Sequence, residues 1–273
     1  MFEEMKSRHL FGWMLGASIA AIFILLQVTE NPLIIDVAIQ LVFYVVVPVW
    51  FFGYHFKKRG VKLRQVVFFR GTARWLLPVF GLTALSMAFS IGMIWLLLRA
   101  LMPIAPAAVD FVFTPQPLSD AVWYLVATGF IVAVIGPIAE EFVFRGLILN
   151  RLITKYGFWN GLGLSSVIFG MFHIDFFGAF LFAVVASLLY LKTGNLLVPI
   201  LLHIVNNTVA VYQSFVNPSF PQWLMVTSVN DLYTKSVPNL IVLLASLALL
   251  LFVIARMARG VEDKLEEDHI FSE

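Results

Sequence analysis

Long apolar segments alternate with short polar ones along the whole of this 273-residue chain. A helix needs about 20 mostly apolar residues to cross the hydrocarbon core of a bilayer. The pattern predicts an all-α, polytopic transmembrane bundle of about eight spans, in a range of seven to nine because the fifth and sixth segments are short. The candidate segments are residues 11–28, 33–52, 75–98, 121–139, 157–172, 177–191, 196–215 and 238–256.

Composition and charge agree with an integral membrane protein. The chain is 61% hydrophobic and 12% charged, with a mean hydropathy of +0.93, which lies outside the range of soluble globular domains. With eight spans, one side of the bundle receives nearly all the Lys and Arg residues, and the other receives only Arg99 and Lys235. Because Lys and Arg collect in cytoplasmic loops, both termini are expected to be cytoplasmic, in the cell membrane if the source is a prokaryote.

The polar residues within the apolar segments are concentrated between positions 140 and 207. We therefore interpret residues 1–273 as a single membrane domain with a motif-bearing core at about 120–215 and peripheral N-terminal helices in 1–102. Residues 54–74 form a long basic loop, which suits either contact with anionic headgroups or a purely topogenic role. The chain contains no cysteine, which excludes disulfides and thiolate chemistry.

Two adjacent glutamates, Glu140 and Glu141, lie in apolar sequence and are followed by Arg145. A charged side chain near the bilayer centre costs roughly 2.5 to 3.5 kcal/mol, so such residues usually face a protein interior or water and carry function. Residues four apart share one face of a helix, and Glu141 is therefore expected to pair with Arg145. Glu140 points about 100 degrees away and is the candidate catalytic base, with Glu141 and Arg145 as supporting residues.

Two further motifs, Phe169-x-x-x-His173 and His203-x-x-x-Asn207, are predicted to lie at a matching depth. If the chain turns near residue 156, Glu140 lies 16 residues before the turn and His173 lies 17 after it, at nearly the same level. His203 follows the next cytoplasmic turn by eight residues, which is roughly 12 Å of helix. All three motifs are therefore expected to meet below the cytoplasmic membrane surface.

Prolines precede two of these motifs, Pro137 before Glu140 and Pro199 before His203. A proline inside a membrane helix frees a backbone carbonyl and bends the axis, which makes room for water. The alternative is that each proline merely begins a helix.

A glutamate, two histidines and an asparagine around water suit the hydrolysis of an acyl bond. A carboxylate can take a proton from water, histidine can share that proton or bind a metal, and asparagine can donate to an oxyanion. Two histidines and a carboxylate are also a common catalytic zinc set, so Glu140, His173 and His203 are candidate ligands of a divalent metal. The alternative function is a proton-coupled transporter that uses Glu140 and His173 as a relay, although the chain shows no internal repeat of the transporter kind.

The three motifs, in this order, resemble those of the CPBP family of intramembrane proteases, which includes the type II CAAX prenyl endopeptidases and many bacterial relatives. The resemblance covers about residues 120–215, and the run Thr-Gly-Asn-Leu-Leu-Val-Pro before His203 strengthens it. It implies that Glu140 activates the attacking water and that His173 assists or binds this water. It implies that His203 with Asn207 stabilises the oxyanion or completes a metal site.

The resemblance also implies the partners of this protein. The expected substrate is a peptide or a lipidated protein C-terminus, cleaved in CAAX-type processing, peptide maturation or bacteriocin immunity. Membrane lipid is the other expected partner, and no nucleic acid is expected. Both a metal-free glutamate mechanism and a zinc mechanism remain open at this stage.

Overall fold

The computed structural model describes residue 2 and residues 5–114 and 119–270, with side chains as far as residue 262. Eight long helices correspond one to one to the predicted apolar segments, and no strand occurs in the described ranges. Three short helices, Leu63–Gln65, Pro106–Phe113 and Asp231–Thr234, lie in the connections. The long helices are α1 Ser7–Val28, α2 Pro32–Arg59, α3 Ala73–Leu101, α4 Val122–Tyr156, α5 Phe158–Met171, α6 Phe176–Thr193, α7 Leu197–Phe215 and α8 Ser236–Ile270.

Six of these helices are long and apolar enough to cross a membrane, namely α1, α2, α3, α4, α6 and α8. Helix α5 has only 14 residues, about 21 Å of helix, and is therefore short for a full span, as its segment predicted. Helix α7 has 19 residues, but His203, Asn206 and Asn207 interrupt its apolar sequence. The predicted all-helical membrane protein is confirmed, whereas the number of spans and the side of the termini stay predictions.

Helix α6 forms the centre of the bundle. Every residue from 182 to 189 is buried, because α3, α5, α7 and α8 pack around this helix. Its small residues Ala183, Ala186 and Ser187 allow neighbouring helices to approach closely. Helices α3 and α8 also cross tightly: a Cβ at Gly92 would lie 2.8 Å from the Cβ of Leu243. This packing holds α7 and α4 beside α6, where the candidate site is found.

Two helices are widened just before a proline. A π-type turn spans Val42–Val46 in α2, ahead of Pro48, and another spans Ile131–Ile135 in α4, ahead of Pro137. Proline has no N–H and its ring crowds the carbonyl four residues earlier, and the wide turn accommodates both within a continuous helix. Pro137 therefore widens its helix, whereas Pro199 lies in the first turn of α7, where the missing N–H is not needed.

The turn between α6 and α7 anchors the predicted basic loop. The buried side chain of Asn195 donates to the carbonyl of Phe68 at 2.6 Å and to the hydroxyl of Thr72 at 3.1 Å, and it accepts from the Phe68 N–H at 3.2 Å. The backbone adds a bond from Leu196 N to Val66 O at 3.0 Å. Part of the basic loop is thereby attached to the bundle, while Phe69 remains exposed at its surface.

Candidate active site

Glu140 and Glu141 lie on the α-helical stretch Gly136–Glu141, between the wide turn before Pro137 and a second π-type segment at Phe142–Leu149. Their environments differ as the helical spacing predicted. The Glu141 side chain is 0% exposed and its Oε1 accepts from Nη1 of Arg145, itself 1% exposed, at 2.6 Å. Glu140 is 22% exposed. The predicted pairing of Glu141 with Arg145 is therefore present and fully buried.

Glu141 has a second partner that the spacing did not predict. Its Oε1 also accepts from Nδ1 of His203 at 2.8 Å, so one carboxylate joins Arg145 to His203. Because a carboxylate oxygen accepts, the proton of this bond lies on Nδ1, and in the neutral form of the ring Nε2 is then an acceptor. Glu141 was predicted to be a supporting residue that pairs with Arg145. In the structure it also orients a histidine on α7.

The Nε2 atom of His203 faces the Glu140 carboxylate. The distance to Oε2 is 3.8 Å, too long for a direct hydrogen bond, and this buried oxygen has no hydrogen-bond partner among the described residues. The Tyr44 side chain of α2 lies beside the same carboxylate, and its hydroxyl interacts with Glu140. The two acceptors at 3.8 Å can share one bridging water molecule, which would donate to both.

His173 lies in the turn that follows α5 and is held by Phe169. Its Nδ1 is 2.8 Å from the Phe169 carbonyl, and its ring stacks on the Phe169 ring with centroids 4.4 Å apart. The buried Phe169 ring also lies 4.6 Å from the Arg145 guanidinium. Phe169 therefore contacts both the ion pair and the histidine. Asp175 caps the start of α6, because its side chain accepts from the Gly178 N–H at 2.9 Å.

Asn207 connects α7 to the wide turn of α4. The Gly136 N–H donates to the carbonyl of Ile131, five residues earlier. With the same spacing of five, the carbonyl of the next residue, Val132, would accept from the N–H of residue 137. Residue 137 is a proline and has no N–H. The carbonyl of Val132 instead accepts from Nδ2 of Asn207 at 2.9 Å. One amide hydrogen of Asn207 is used in this contact, and the second is left for another acceptor.

A cavity of about 450 Å³ lies against the two histidines. Its polar lining includes His173, His203, Asn206 and Asn207, together with Ser86, Ser90, Asp175 and Gln213. Helix α3 falls in residues 1–102, for which the sequence predicted a peripheral position, and yet it supplies much of the apolar wall. The apolar lining includes Met87, Ile91, Ile94, Trp95, Phe172, Phe182, Met225 and Val226.

The structure thus groups the predicted site residues into two connected sets. Glu140, Glu141, Arg145 and His203 form one network, and His203 also lines the cavity together with His173 and Asn207. Within the described residues, no ion pair or hydrogen bond joins Glu140 to His173, and Glu140 is not among the residues that line the cavity. His203 is the link between the two sets.

Sequence reasoning passed over Tyr44. Tyr44 lies in the N-terminal helices that were interpreted as peripheral, and a single tyrosine there matches no motif. The one available signal was Pro48, because the wide turn that contains Tyr44 precedes this proline.

The donor atoms do not fit the predicted zinc site. In the part of the chain that the structure describes, no three His, Asp or Glu side chains form a group that could hold a metal ion. The Nδ1 atoms of His203 and His173 are engaged by Glu141 and by a backbone carbonyl. A zinc ion needs about four ligands at roughly 2.0 to 2.3 Å. The set of Glu140, His173 and His203 therefore stays a prediction as a metal site, and no catalytic step is derived from it.

Fold and site together define an all-helical membrane protein in which a buried acid–histidine network borders an intramembrane cavity. Residues 122–209, which contain all three motifs, match the family model of the Rce1-like type II CAAX prenyl endopeptidases. The resemblance predicted from the motifs is therefore confirmed over this segment.

Three bacterial relatives each match part of the chain. The chain is 37% identical over 82 residues to the putative membrane peptidase YdiL of Bacillus subtilis, covering 29% of this chain and 34% of the relative. It is 36% identical over 101 residues to the membrane-embedded CAAX protease MroQ of Staphylococcus aureus, covering 33% and 40%. A third relative, an uncharacterized 24.3 kDa protein of Escherichia coli, is 26% identical over 126 residues, covering 43% and 56%. The matches thus span between about a third and just over half of the relatives' lengths, and no solved structure matches significantly.

Proposed function

We propose that this protein is a membrane-embedded endopeptidase in which Glu140 removes a proton from the attacking water. The observation that carries the proposal is the unequal treatment of two adjacent carboxylates. Oε1 of Glu141 accepts from the Arg145 guanidinium and from His203 Nδ1, whereas among the described residues no cation lies within hydrogen-bond distance of Glu140, whose Oε2 faces His203 Nε2 at 3.8 Å. A carboxylate inside a membrane bundle with no cation beside it is costly, so its position opposite His203 supports a chemical role.

The proposed reaction begins with a water molecule bound between Glu140 Oε2 and His203 Nε2. Glu140 accepts one proton, and the hydroxide oxygen bonds to the carbonyl carbon of the scissile peptide. The proton passes by way of Nε2 of His203 to the leaving amine as the carbon–nitrogen bond breaks. Glu141 stabilises the imidazolium that forms transiently, because its carboxylate is hydrogen bonded to Nδ1.

The oxyanion of this reaction needs donors on the cavity side. Asn207 has a second amide hydrogen after its bond to the Val132 carbonyl, and His203 gains a donor at Nε2 once it is protonated. His173 lines the same cavity, and we propose that its Nε2 positions the water or the substrate. Glu140, His173, His203 and Asn207 are thus the proposed catalytic residues.

The substrate is proposed to be a peptide or a lipidated protein C-terminus with an apolar segment. The cavity is walled mainly by aliphatic, aromatic and methionine side chains from α3 and from the connection after α7, which favours apolar groups beside the scissile bond. Both CAAX-type processing and the maturation of a bacterial peptide, including a bacteriocin-immunity role, are compatible with such a cavity.

A peptidase assay on protein purified in detergent tests this proposal. Internally quenched peptides with apolar C-terminal residues are incubated with the wild type, Glu140→Gln and His173→Ala. Asp36→Asn serves as a matched control, because Asp36 is a carboxylate on a spanning helix that accepts from Gln40 and Tyr124 outside the proposed site. We expect Glu140→Gln and His173→Ala to lower kcat at least about 100-fold, and Asp36→Asn to retain wild-type cleavage.

Equal cleavage by the wild type and the Glu140→Gln variant would contradict the proposal. A parallel incubation with a zinc chelator separates the two mechanisms, and the donor arrangement leads us to expect no loss of activity. Proton-coupled uptake into proteoliposomes that depends on Glu140, without peptide cleavage, would favour the transporter alternative.

A further inference from the structure

A second cavity, of about 360 Å³, lies between α1 and α2 at the end where the basic loop begins. It lies outside the candidate active site and has a different character. The nine lining residues include three cations, Lys6, Lys58 and Arg59, and two histidines, His9 and His55, and none of the nine is acidic. A concave cluster of cations attracts an anion.

The walls of this cavity are arranged in two layers. The first layer is aromatic: the Trp13 and Trp50 rings meet edge to face at 5.0 Å, and Tyr54 stacks with Trp50 at 6.4 Å. All three side chains are about half-exposed. The second layer is cationic and lies nearer the end of the helices, because Lys58 follows Tyr54 by one turn and Lys6 precedes Trp13 by two.

The two lysines of the cationic layer lack acidic partners. Among the described residues, no Asp or Glu forms an ion pair with Lys6 or Lys58, and both side chains are exposed. The Lys58 ammonium lies 6.0 Å from the centroid of the Tyr54 ring, at the outer limit of a cation–π contact. Their charges are therefore available to a ligand.

We propose that this cavity binds the phosphate group of an anionic membrane phospholipid. The order of the layers matches the order of chemical groups in such a lipid. The cations are placed to contact the phosphate. The Trp and Tyr side chains form the next layer, and such rings favour the level of the lipid headgroups. On the same face of α1, about three turns beyond Trp13, the exposed side chain of Ile24 provides an apolar surface for the acyl chains.

This arrangement favours a lipid over free phosphate. Free inorganic phosphate shares the charge and the acceptor atoms but has no group for the aromatic layer. The proposal is independent of the peptidase function, since it involves neither the acid–histidine network nor the cavity beside it.

Ligand binding to two matched double variants tests the proposal. Lys6→Gln/Lys58→Gln removes the two lysines of the cavity, whereas Arg8→Gln/Lys57→Gln removes two exposed cations from the same helix ends that do not line it. Each full-length protein, in a neutral detergent, is titrated with dioctanoyl phosphatidylglycerol, dioctanoyl phosphatidylcholine or inorganic phosphate. Bound ligand is counted by native mass spectrometry, and the ligand-dependent rise in Tm gives an independent measure.

We expect saturable binding of phosphatidylglycerol that is preferred over both other ligands. The loss of two lysines near a membrane surface should weaken this binding roughly 10- to 30-fold, whereas the control variant should stay within about threefold of the wild type, because screened charges outside the site contribute little. Both variants alter exposed side chains only and should unfold at the wild-type Tm without ligand.

Three results would overturn the proposal. The first is unchanged phosphatidylglycerol binding in Lys6→Gln/Lys58→Gln, and the second is an equal loss in both double variants, which would indicate diffuse surface charge. The third is binding of inorganic phosphate as tight as that of phosphatidylglycerol, because the anion would then come from the aqueous phase.

Discussion

The buried ion pair between Arg145 and Glu141 is the contact whose removal should change stability most clearly. Arg145 Nη1 and Glu141 Oε1 are 2.6 Å apart, and both side chains are buried. Arg145→Met keeps an apolar stem but leaves the Glu141 carboxylate buried with His203 as its remaining partner. Removing one partner of a buried pair destabilises a protein by about 3 to 5 kcal/mol, because the other charge stays uncompensated. We expect a loss of this size in the free energy of unfolding.

Glu141→Gln should destabilise the fold by a similar amount. The Arg145 guanidinium would then retain a long contact to the Ala183 carbonyl at 3.4 Å and the faces of the rings of Phe169 and Phe182. The double variant contains neither buried charge, so its loss should be smaller than the sum of the single losses. Residues in direct contact couple by up to about 3 kcal/mol, and we expect a coupling of about 2 to 3 kcal/mol.

The four proteins of this cycle can be compared by equilibrium unfolding in mixed micelles with increasing SDS, followed by circular dichroism. The pair Asp231 and Lys235 provides a matched control with the same helical spacing, at 3.2 Å but with 16% and 23% exposure. Because both side chains of this pair reach solvent, and pairs in contact with water contribute at most about 1 kcal/mol, its coupling should be much smaller. Additive losses at residues 141 and 145, or a coupling no larger than in the control, would refute the buried pairing.

Three other contacts lead to separate predictions. Asn207→Ala should lower stability by about 1 to 2 kcal/mol, because it leaves a carbonyl in the wide turn of α4 unpaired, and it should also lower kcat; an unchanged unfolding curve would contradict this role. Phe169→Leu removes the ring on which His173 stacks, so kcat should fall at least about tenfold with little change in KM, while Phe177→Leu serves as the control and should retain wild-type kinetics. Asn195→Ala removes the side-chain bonds to the basic loop, and trypsin should then cleave this loop at least about tenfold faster; equal cleavage rates would show that the loop is held by other contacts.

The sequence predicted those features that depend on local order along the chain. The eight apolar segments correspond to the eight long helices, because the length and composition of each segment determine whether it forms an apolar helix. The pairing of Glu141 with Arg145 was predicted for the same reason, since a spacing of four brings two side chains together on any α-helix. Counting residues from the turns matched Glu140 with His173 in depth and placed His203 near both. The structure brings His203 Nε2 to 3.8 Å from Glu140 Oε2, whereas no hydrogen bond or ion pair among the described residues joins Glu140 to His173.

Only the tertiary structure decided which face of each helix is turned toward which neighbour. The bond between Glu141 and His203 joins residues 62 positions apart, and the placement of Tyr44 beside Glu140 joins two separate helices. Asn207 donates to the Val132 carbonyl. This carbonyl lacks a backbone donor because the wide turn directs it toward residue 137, which is a proline. Residue counts specify the level of a side chain along a helix axis, but its direction around that axis depends on the packing of the whole bundle. For this reason the motifs identified the candidate residues, while the packing joined Glu141 to His203 and placed Tyr44 beside Glu140.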